Sequence, residues 1–222
     1  MTSQKPMDPS LALPAGFKPG EGQYLVNELF YSIQGEGALT GTPMVFVRLA
    51  RCNLRCAVRN AGFDCDTEFQ GFVAMTLDQL VGEIRALSRG RSGWALLTGG
   101  EPALQLDAPL LDALHADGLK VAIETNGTIK LPDGIDWICV SPKSAGHTIA
   151  QRRADEIKYV LQRGQALPEL PPAMKATHHF VSPAFQPDGS LRREDLDHCL
   201  SIALNNKPWR LSLQSHKLIA AR

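Results

Sequence analysis

Residues 94–127, WALLTGGEPALQLDAPLLDALHADGLKVAIETNG, contain two short apolar segments separated by an amphipathic one. The apolar segments, at 94–98 and 120–124, have the composition of strands that are buried on both faces. The segment between them ends near a glycine and carries three leucines at helical spacing, Leu110, Leu111 and Leu114. A strand, a helix and a second strand in this order predict a parallel pair joined by a helical crossover.

The same alternation of apolar segments and polar loops extends along the 222 residues of the chain. Thr76 and Gln79 form an S/T-x-x-E/Q capping box, which predicts the start of another helix. Further strands are predicted at residues 24–32, 44–49, 137–140, 157–161, 179–182 and 209–214, and further helices at 77–87 and 191–205. We expect a flexible, Pro- and Gly-rich lead-in at residues 1–22 and a single α/β domain with a mostly parallel sheet at 23–222.

Charge and apolar patterning exclude several classes of protein. Basic and acidic residues both number 23, so no net positive charge attracts nucleic acid or an anionic membrane. The sequence contains no run of about 18 apolar residues, the length that a membrane span needs. The first 22 residues also lack the apolar segment of a secretory signal. The five cysteines are odd in number and clustered, which suits a reducing compartment. We therefore expect a cytoplasmic protein without nucleic-acid or membrane partners.

Three cysteines lie in one polar loop after the strand predicted at residues 44–49. The loop, RCNLRCAVRNAGFDCDTE at 51–68, holds Cys52, Cys56 and Cys65. Thiolates bind iron–sulfur clusters or zinc. A structural zinc site needs a fourth ligand, but no histidine precedes residue 100, and carboxylates are uncommon in such sites. The spacing favours a 4Fe-4S cluster with one open iron and leaves a zinc-binding interaction module as the alternative.

Several short motifs at strand ends carry a resemblance to a known family. Residues 52–56 and 65–67 resemble the cluster-binding loop of radical S-adenosylmethionine (radical SAM) enzymes, although the spacing here is C-x3-C-x8-C and the usual one is C-x3-C-x2-C. TGGEP (98–102) and ETNG (124–127) resemble two strand-end motifs of that superfamily. Together with SIQGEG (32–37), SPK (141–143) and LQSHK (213–217), they make residues 24–222 similar to the 7-carboxy-7-deazaguanine synthase family.

The resemblance implies a fold and an activity. The fold is a partial, modified (β/α) barrel of the radical SAM type. The activity is a carbon–nitrogen lyase reaction that converts 6-carboxy-5,6,7,8-tetrahydropterin to 7-carboxy-7-deazaguanine and ammonia, for queuosine in tRNA. A 5′-deoxyadenosyl radical abstracts hydrogen at C6 of the pterin, and S-adenosylmethionine is regenerated. The implied cofactors are a 4Fe-4S cluster, S-adenosylmethionine and Mg²⁺, and the implied partners are an electron donor such as flavodoxin or ferredoxin and a second copy in a homodimer. An activase that installs a glycyl radical on a partner protein remains the alternative within the superfamily.

The resemblance also implies roles for individual residues. The cluster ligands are Cys52, Cys56 and Cys65, and the Thr67 hydroxyl is a Mg²⁺ ligand. The S-adenosylmethionine site takes in Asp64, Cys65, Asp66, Gly100, Glu124, Ser141, Pro142, Lys143 and Ser182. The pterin site takes in Ile33, Gln34, Gly35, Glu36, Arg48, Thr98, His216 and Arg222, with Arg48 paired to the substrate carboxylate. Cys139 and Cys199 lie in apolar segments and are expected to be buried thiols without a chemical role.

Overall fold

The strands of the chain join in one mixed sheet. The computed structural model describes residues 16–54, 71–143, 146–186 and 188–221. Within these ranges the sheet has nine strands in the order β3-β1-β2-β4-β5-β6-β7-β8-β9. Their bounds are β1 Gln23–Ile33, β2 Pro43–Leu49, β3 Val73–Thr76, β4 Trp94–Gly99, β5 Lys120–Thr125, β6 Trp137–Val140, β7 Arg153–Leu161, β8 Lys175–Pro183 and β9 Trp209–Leu211.

Four α-helices accompany the sheet in the described residues: α1 Leu77–Ser88, α2 Ala108–Ala116, α3 Arg193–Asn205 and α4 Ser215–Leu218. The capping box at the start of α1 is present: the Gln79 amide donates to the Thr76 hydroxyl, and the Thr76 amide donates to the Gln79 side chain. The Asp107 carboxylate caps α2 by accepting from the amide of Leu110 at 3.1 Å. Both caps satisfy amides that have no partner inside the helix.

The direction of the strands confirms the predicted α/β class with mostly parallel strands. All neighbouring pairs from β2 to β9 are parallel, whereas β1 runs antiparallel to both β2 and β3. Because β3 and β9 are the two ends of the strand order, the sheet is open, as expected for a partial barrel.

The connections between the strands are not all helical, and the end of one strand was predicted wrongly. The described residues between β5 and β6, between β6 and β7, and between β7 and β8 contain no α-helix, so a regular strand–helix alternation holds only for the crossovers that contain α1, α2 and α3. The last strand was predicted to reach residue 214 but ends at Leu211. The Ser212 amide still donates to Val181 of β8, but the side chains of Gln214 and Ser215 bond to the turn after β1.

The two faces of the sheet are chemically different. On β2 the side chains of Val45, Val47 and Leu49 pack with α1 and α2 in the main core. Because side chains alternate between the faces of a strand, Phe46 and Arg48 point the other way and line a cavity. The strand period therefore separates a helix-covered apolar face from a face that carries polar groups.

No helix in the described part of the chain combines the length and the apolar character that a membrane crossing requires.

Candidate active site

The cavity lies on the face of the sheet that α1 and α2 leave open, and its volume is about 300 Å³. Arg48 on β2 is paired in register with Thr98 on β4, so both side chains reach the cavity from neighbouring strands. Glu124 on β5 and Lys158 on β7 follow from strands further along the sheet. Side chains from parallel strands β2, β4, β5 and β7 therefore supply one wall of the cavity.

The structure brings together most of the predicted site residues that it describes. Those that line the cavity are Ile33, Gln34, Glu36, Arg48, Cys52, Thr98, Gly100, Glu124, Ser141, Lys143, Ser182 and His216. Gly35 and Pro142 do not line it; Gly35 packs directly behind the ring of His216. The predicted residues Cys56, Asp64, Cys65, Asp66, Thr67 and Arg222 lie outside the described residues.

Close backbone contacts place Cys52 at one end of the cavity. The Gly100 amide donates to the carbonyl of Leu49 at 3.0 Å, and the Glu101 amide donates to the carbonyl of Arg51 at 2.8 Å. A Cβ on Gly100 would overlap the Arg51 carbonyl and lie 3.2 Å from the Cβ of Cys52. Glycine at position 100 is thus required because the β4 loop passes against the backbone of the cysteine loop.

The buried carboxylate of Glu101 joins the loops after β4 and β5. It accepts hydrogen bonds from the Thr125 hydroxyl at 2.7 Å and from the amides of Asn126 and Ala103 at 2.7 and 3.0 Å. Burial raises the pKa of Glu101, and these three hydrogen bonds oppose that rise. The Asn126 side chain in turn donates to the side-chain oxygen of Asn53 at 3.0 Å. Glu101 and Asn126 therefore link the strand-end motifs to the cysteine loop.

A buried ion pair occupies the opposite part of the cavity wall. The ammonium of Lys158 contacts Glu36, and its side chain is only 5% exposed. The second oxygen of Glu36 accepts from the side-chain amide of Gln214 at 2.8 Å. Burial alone would raise the pKa of Glu36, but the charge and hydrogen bond of Lys158 and the hydrogen bond of Gln214 lower it well below its usual value. Glu36 is consequently ionised at neutral pH.

Glu124 is a second carboxylate beside the same ammonium. Its Oε1 lies 4.0 Å from the Lys158 Nζ and accepts from the side-chain amide of Gln34 at 3.0 Å. Its Oε2 accepts from the Thr98 hydroxyl at 3.4 Å. Burial lowers the pKa of Lys158, but the two carboxylates outweigh burial and raise it well above its ordinary value. Glu36, Glu124 and Lys158 thus form a charge centre of two carboxylates and one ammonium.

The C-terminal segment closes the cavity from the side of β1. The amide and hydroxyl of Ser215 donate to the carbonyl of Gly35 at 3.0 and 2.9 Å, and the Gly37 amide donates to the Ser212 hydroxyl at 2.9 Å. A Cβ on Gly35 would overlap the ring of His216. Burial, more than any other effect, lowers the pKa of His216, so this ring is neutral at pH 7.

An aromatic pair supports the arginine that was predicted to bind an anionic group. The rings of Phe30 and Phe46 stack with centroids 4.8 Å apart, and the Arg48 guanidinium lies 6.0 Å from the Phe30 centroid. The Nε of Arg48 is 3.4 Å from the carboxylate of Glu28. Among the described residues, this buried Nε makes no hydrogen bond, so its contact with Glu28 is an ion pair, and Arg48 itself lines the cavity.

Several lining residues were missed by sequence reasoning, among them Phe30, Phe46, Lys158 and Gln214. One signal could have identified Lys158. The sequence of β7 places charged residues at alternate positions of an otherwise apolar strand, EIKYV at 156–160. In a buried parallel strand, such positions mark a polar face.

The cysteines fall into two groups, as predicted. Cys139 and Cys199 are 2% and 0% exposed, and burial raises the pKa of both thiols. Cys52 instead lines the cavity beside Gly99 and Gly100. In the described residues no three His, Cys, Asp or Glu side chains are grouped as metal ligands; the two cysteines predicted to join Cys52 lie outside those residues. A cysteine in the wall of a polar cavity fits one corner of an iron–sulfur site, where it would bind as a thiolate.

Comparison with known proteins gives similar chains that align over nearly their whole length. The 7-carboxy-7-deazaguanine synthase of Bacteroides thetaiotaomicron is 42% identical over 197 residues, which cover 89% of this chain and 98% of the relative. The synthases of Bradyrhizobium diazoefficiens and Bordetella pertussis are 37% and 39% identical and cover 90% and 88% of this chain and 99% and 98% of their own lengths. No protein-family model matches the chain.

A solved structure supports the fold. The crystal structure of QueE from Escherichia coli superposes with a TM-score of 0.64 over 86% of this chain and 93% of that one, at 24% sequence identity. At this identity the likeness concerns the fold: an open, mostly parallel sheet with helices.

Proposed function

Because the chain belongs to the 7-carboxy-7-deazaguanine synthase family, we propose that it converts 6-carboxy-5,6,7,8-tetrahydropterin to 7-carboxy-7-deazaguanine with loss of ammonia. The relatives support this activity at up to 42% identity over nearly their whole length. They also favour it over a glycyl-radical activase and over a zinc-binding module. The observation that carries the proposal is the shared cavity, onto which Cys52 opens together with Arg48, Glu36 and Glu124.

The residues present fit the cofactors that this activity needs. Cys52 would hold the 4Fe-4S cluster together with Cys56 and Cys65. When bound, the cluster and S-adenosylmethionine supply the radical chemistry, and the protein supplies binding and orientation. Gly100, Glu124, Ser141, Lys143 and Ser182 line the cavity and would contact S-adenosylmethionine, together with Pro142 and the predicted residues at 64–66. The Thr67 hydroxyl would bind Mg²⁺, a hard cation that prefers oxygen ligands.

The remaining lining residues would bind the pterin. Arg48, which lines the cavity, would pair with the substrate carboxylate through its fork of donors. Residues 33–36 and Thr98 would border the ring, and His216 would cover it. The bonds between Ser215 and Gly35 hold this cover in place, so that water is kept away from the reacting atoms. Arg222 stays a predicted contact.

The cellular setting follows from the activity. The product would enter queuosine synthesis for tRNA, although the chain itself would bind no nucleic acid. A reduced cluster requires an electron donor such as flavodoxin or ferredoxin and the reducing conditions of the cytoplasm. We also propose a homodimer, which sedimentation of the cluster-loaded protein would test.

One anaerobic turnover experiment tests the activity. Reconstituted protein is incubated with 6-carboxytetrahydropterin, S-adenosylmethionine, Mg²⁺ and a strong reductant, and 7-carboxy-7-deazaguanine and ammonia are measured by mass spectrometry and a coupled assay. Both products should appear in equal amounts, and protein without a cluster serves as the control. Purified protein that binds zinc and shows no absorbance near roughly 400 nm, where thiolate-bound clusters absorb, would contradict the proposal, as would a full cluster without product.

A further inference from the structure

We infer that Lys158 is a positioning residue, which holds Glu36 and Glu124 as a pair of hydrogen-bond acceptors and thereby selects ligands whose ring edge donates N–H groups. In the proposed substrate, that edge is the ring N–H and the adjacent 2-amino group. This inference rests on the proposed function, except that it assigns Glu124 to the pterin instead of to S-adenosylmethionine. It adds Lys158 as a specificity-determining residue that the family motifs in the sequence do not include.

The burial of Lys158 is the first observation. Its side chain is 5% exposed, and its neighbours Ile157 and Tyr159 point into the apolar core on the other face of β7. A buried ammonium is costly unless it is paired, and an apolar side chain of similar volume is often at least as stabilising. A lysine at this position is therefore explained better by what it does to the cavity than by stability.

The arrangement of acceptors is the second observation. The two oxygens of Glu36 accept from Lys158 and from Gln214, and the two oxygens of Glu124 accept from Gln34 and Thr98. A carboxylate has about four acceptor sites, so each group keeps capacity for a ligand donor. Because every protein partner of these two carboxylates is a donor, their orientation is set before a ligand arrives, which lowers the entropic cost of binding.

The charge of the centre is the third observation. Two carboxylates and one ammonium leave a net negative charge, which attracts N–H donors and repels carbonyl oxygens. Without the ammonium, burial would keep a proton on Glu36 to a higher pH, because the charge of Lys158 is the largest of the effects that lower its pKa. A protonated carboxyl presents a donor where an acceptor is needed. The other titratable groups that act on this centre are Cys139 on β6, Glu156 on β7, and His216 and Lys217 on α4.

The test uses Lys158→Met in the cluster-loaded enzyme, with Lys175→Met as a matched control, since Lys175 is exposed at the start of the neighbouring strand. We expect the KM for the pterin to rise at least about tenfold at pH 7, the size of one lost hydrogen bond to a charged group. We also expect KM to fall again as pH rises, because Glu36 then loses its proton. The wild type and Lys175→Met should lack this pH dependence.

Two further variants separate positioning from folding. The double variant Lys158→Met/Glu36→Gln has one carboxylate, so the new pH dependence should vanish. Lys158→Arg keeps the charge but changes its position, so it should show the pH profile of the wild type with a raised KM. If Lys158→Met fails to fold, the comparison of Lys158→Arg with Lys158→Met/Glu36→Gln still decides: a pH-dependent KM in Lys158→Arg would overturn the inference.

Ligand selectivity is measured directly by fluorescence. Pterin-6-carboxylate and lumazine-6-carboxylate differ in the 2-amino group, which is a 2-oxo group in lumazine. The wild type should bind the pterin at least about tenfold more tightly, and Lys158→Met should lose most of this ratio. Equal affinities in the wild type, or an unchanged ratio in Lys158→Met, would overturn the inference. Failure of the proposed function is distinguishable, because the wild type would then form no 7-carboxy-7-deazaguanine whatever its binding preference.

Discussion

Replacement of Gly100 by alanine should disturb the cysteine loop through one steric contact. The added Cβ would lie 2.5 Å from the carbonyl carbon of Arg51 and 3.2 Å from the Cβ of Cys52. Optimal carbon–carbon separations are about 3.5–4.0 Å, so the Arg51 peptide must retreat by about 1 Å. Overpacking costs about 1–3 kcal/mol, and loss of the Glu101 amide bond to the Arg51 carbonyl adds about 1 kcal/mol.

The expected result is a decrease in both stability and cluster content. A loss of about 2–4 kcal/mol lowers the Tm of a domain of this size by roughly 5–15 °C. A shift of Cys52 by about 1 Å exceeds the roughly 0.2 Å tolerance of metal–ligand distances, so less iron should bind. The assays are the Tm by circular dichroism and the iron and sulfide content per chain after anaerobic reconstitution.

Gly82→Ala is the matched control, because a Cβ at this position in α1 meets no heavy atom within 4 Å. Alanine is favoured over glycine inside a helix by about 1 kcal/mol, so this variant should keep its iron and gain slightly in Tm. Equal iron content and equal Tm in Gly100→Ala and Gly82→Ala would refute the steric argument. A reduced Tm with full iron content would refute its extension to Cys52.

Five other variants test separate parts of the structure. Cys52→Ala should abolish iron binding, whereas Cys199→Ala should keep the cluster and lose only about 1 kcal/mol of packing; equal iron loss in both would contradict the ligand assignment. Thr67→Val should keep the cluster and weaken the Mg²⁺ dependence of turnover, and an unchanged metal response would remove this hydroxyl from the site. Tyr24→Phe removes a 2.6 Å hydrogen bond to the carboxylate that caps α2 and should lower the free energy of unfolding by about 2 kcal/mol in urea titrations; no loss would show that the bond contributes nothing. Burial lowers the pKa of His216, so the unfolded chain binds a proton at this ring at a higher pH than the folded chain does. The free energy of unfolding of the wild type should therefore fall as pH decreases through about 6.5. His216→Asn should show a shallower decrease between pH 7.5 and 5.5.

Most strands could be predicted from the sequence because each is a short, mostly apolar run between polar or glycine-containing loops. The prediction for residues 137–140 coincides with β6, and the predicted strand at 44–49 differs from β2 by one residue. Two elements were missed. β3 has only four residues, and none of them is buried. α4 is a single turn. Elements of this length carry too few residues for a periodicity to appear.

The strand-end motifs were predicted as ligand loops, and the structure adds a structural role for two of their residues. Glu101 and Asn126 bond across the loops after β2, β4 and β5. Such bonds join residues that are far apart in sequence, such as Asn53 and Asn126, and no local pattern encodes them. The motifs identified the family nonetheless, because their residue types and order along the chain suffice for recognition.

By itself, the sequence determined the α/β class, the strand positions, the division of the cysteines into one loop and two buried thiols, and the family. These features depend on residue type, periodicity and order, which a chain carries before it folds. The tertiary structure alone decided which groups share a wall of the cavity. Lys158 and Glu36 are 122 residues apart, and they meet because the strand order brings β7 and the end of β1 to one cavity. Long-range contacts of this kind arise from the packing of the whole sheet, so the charge centre of the site became visible only in the folded chain.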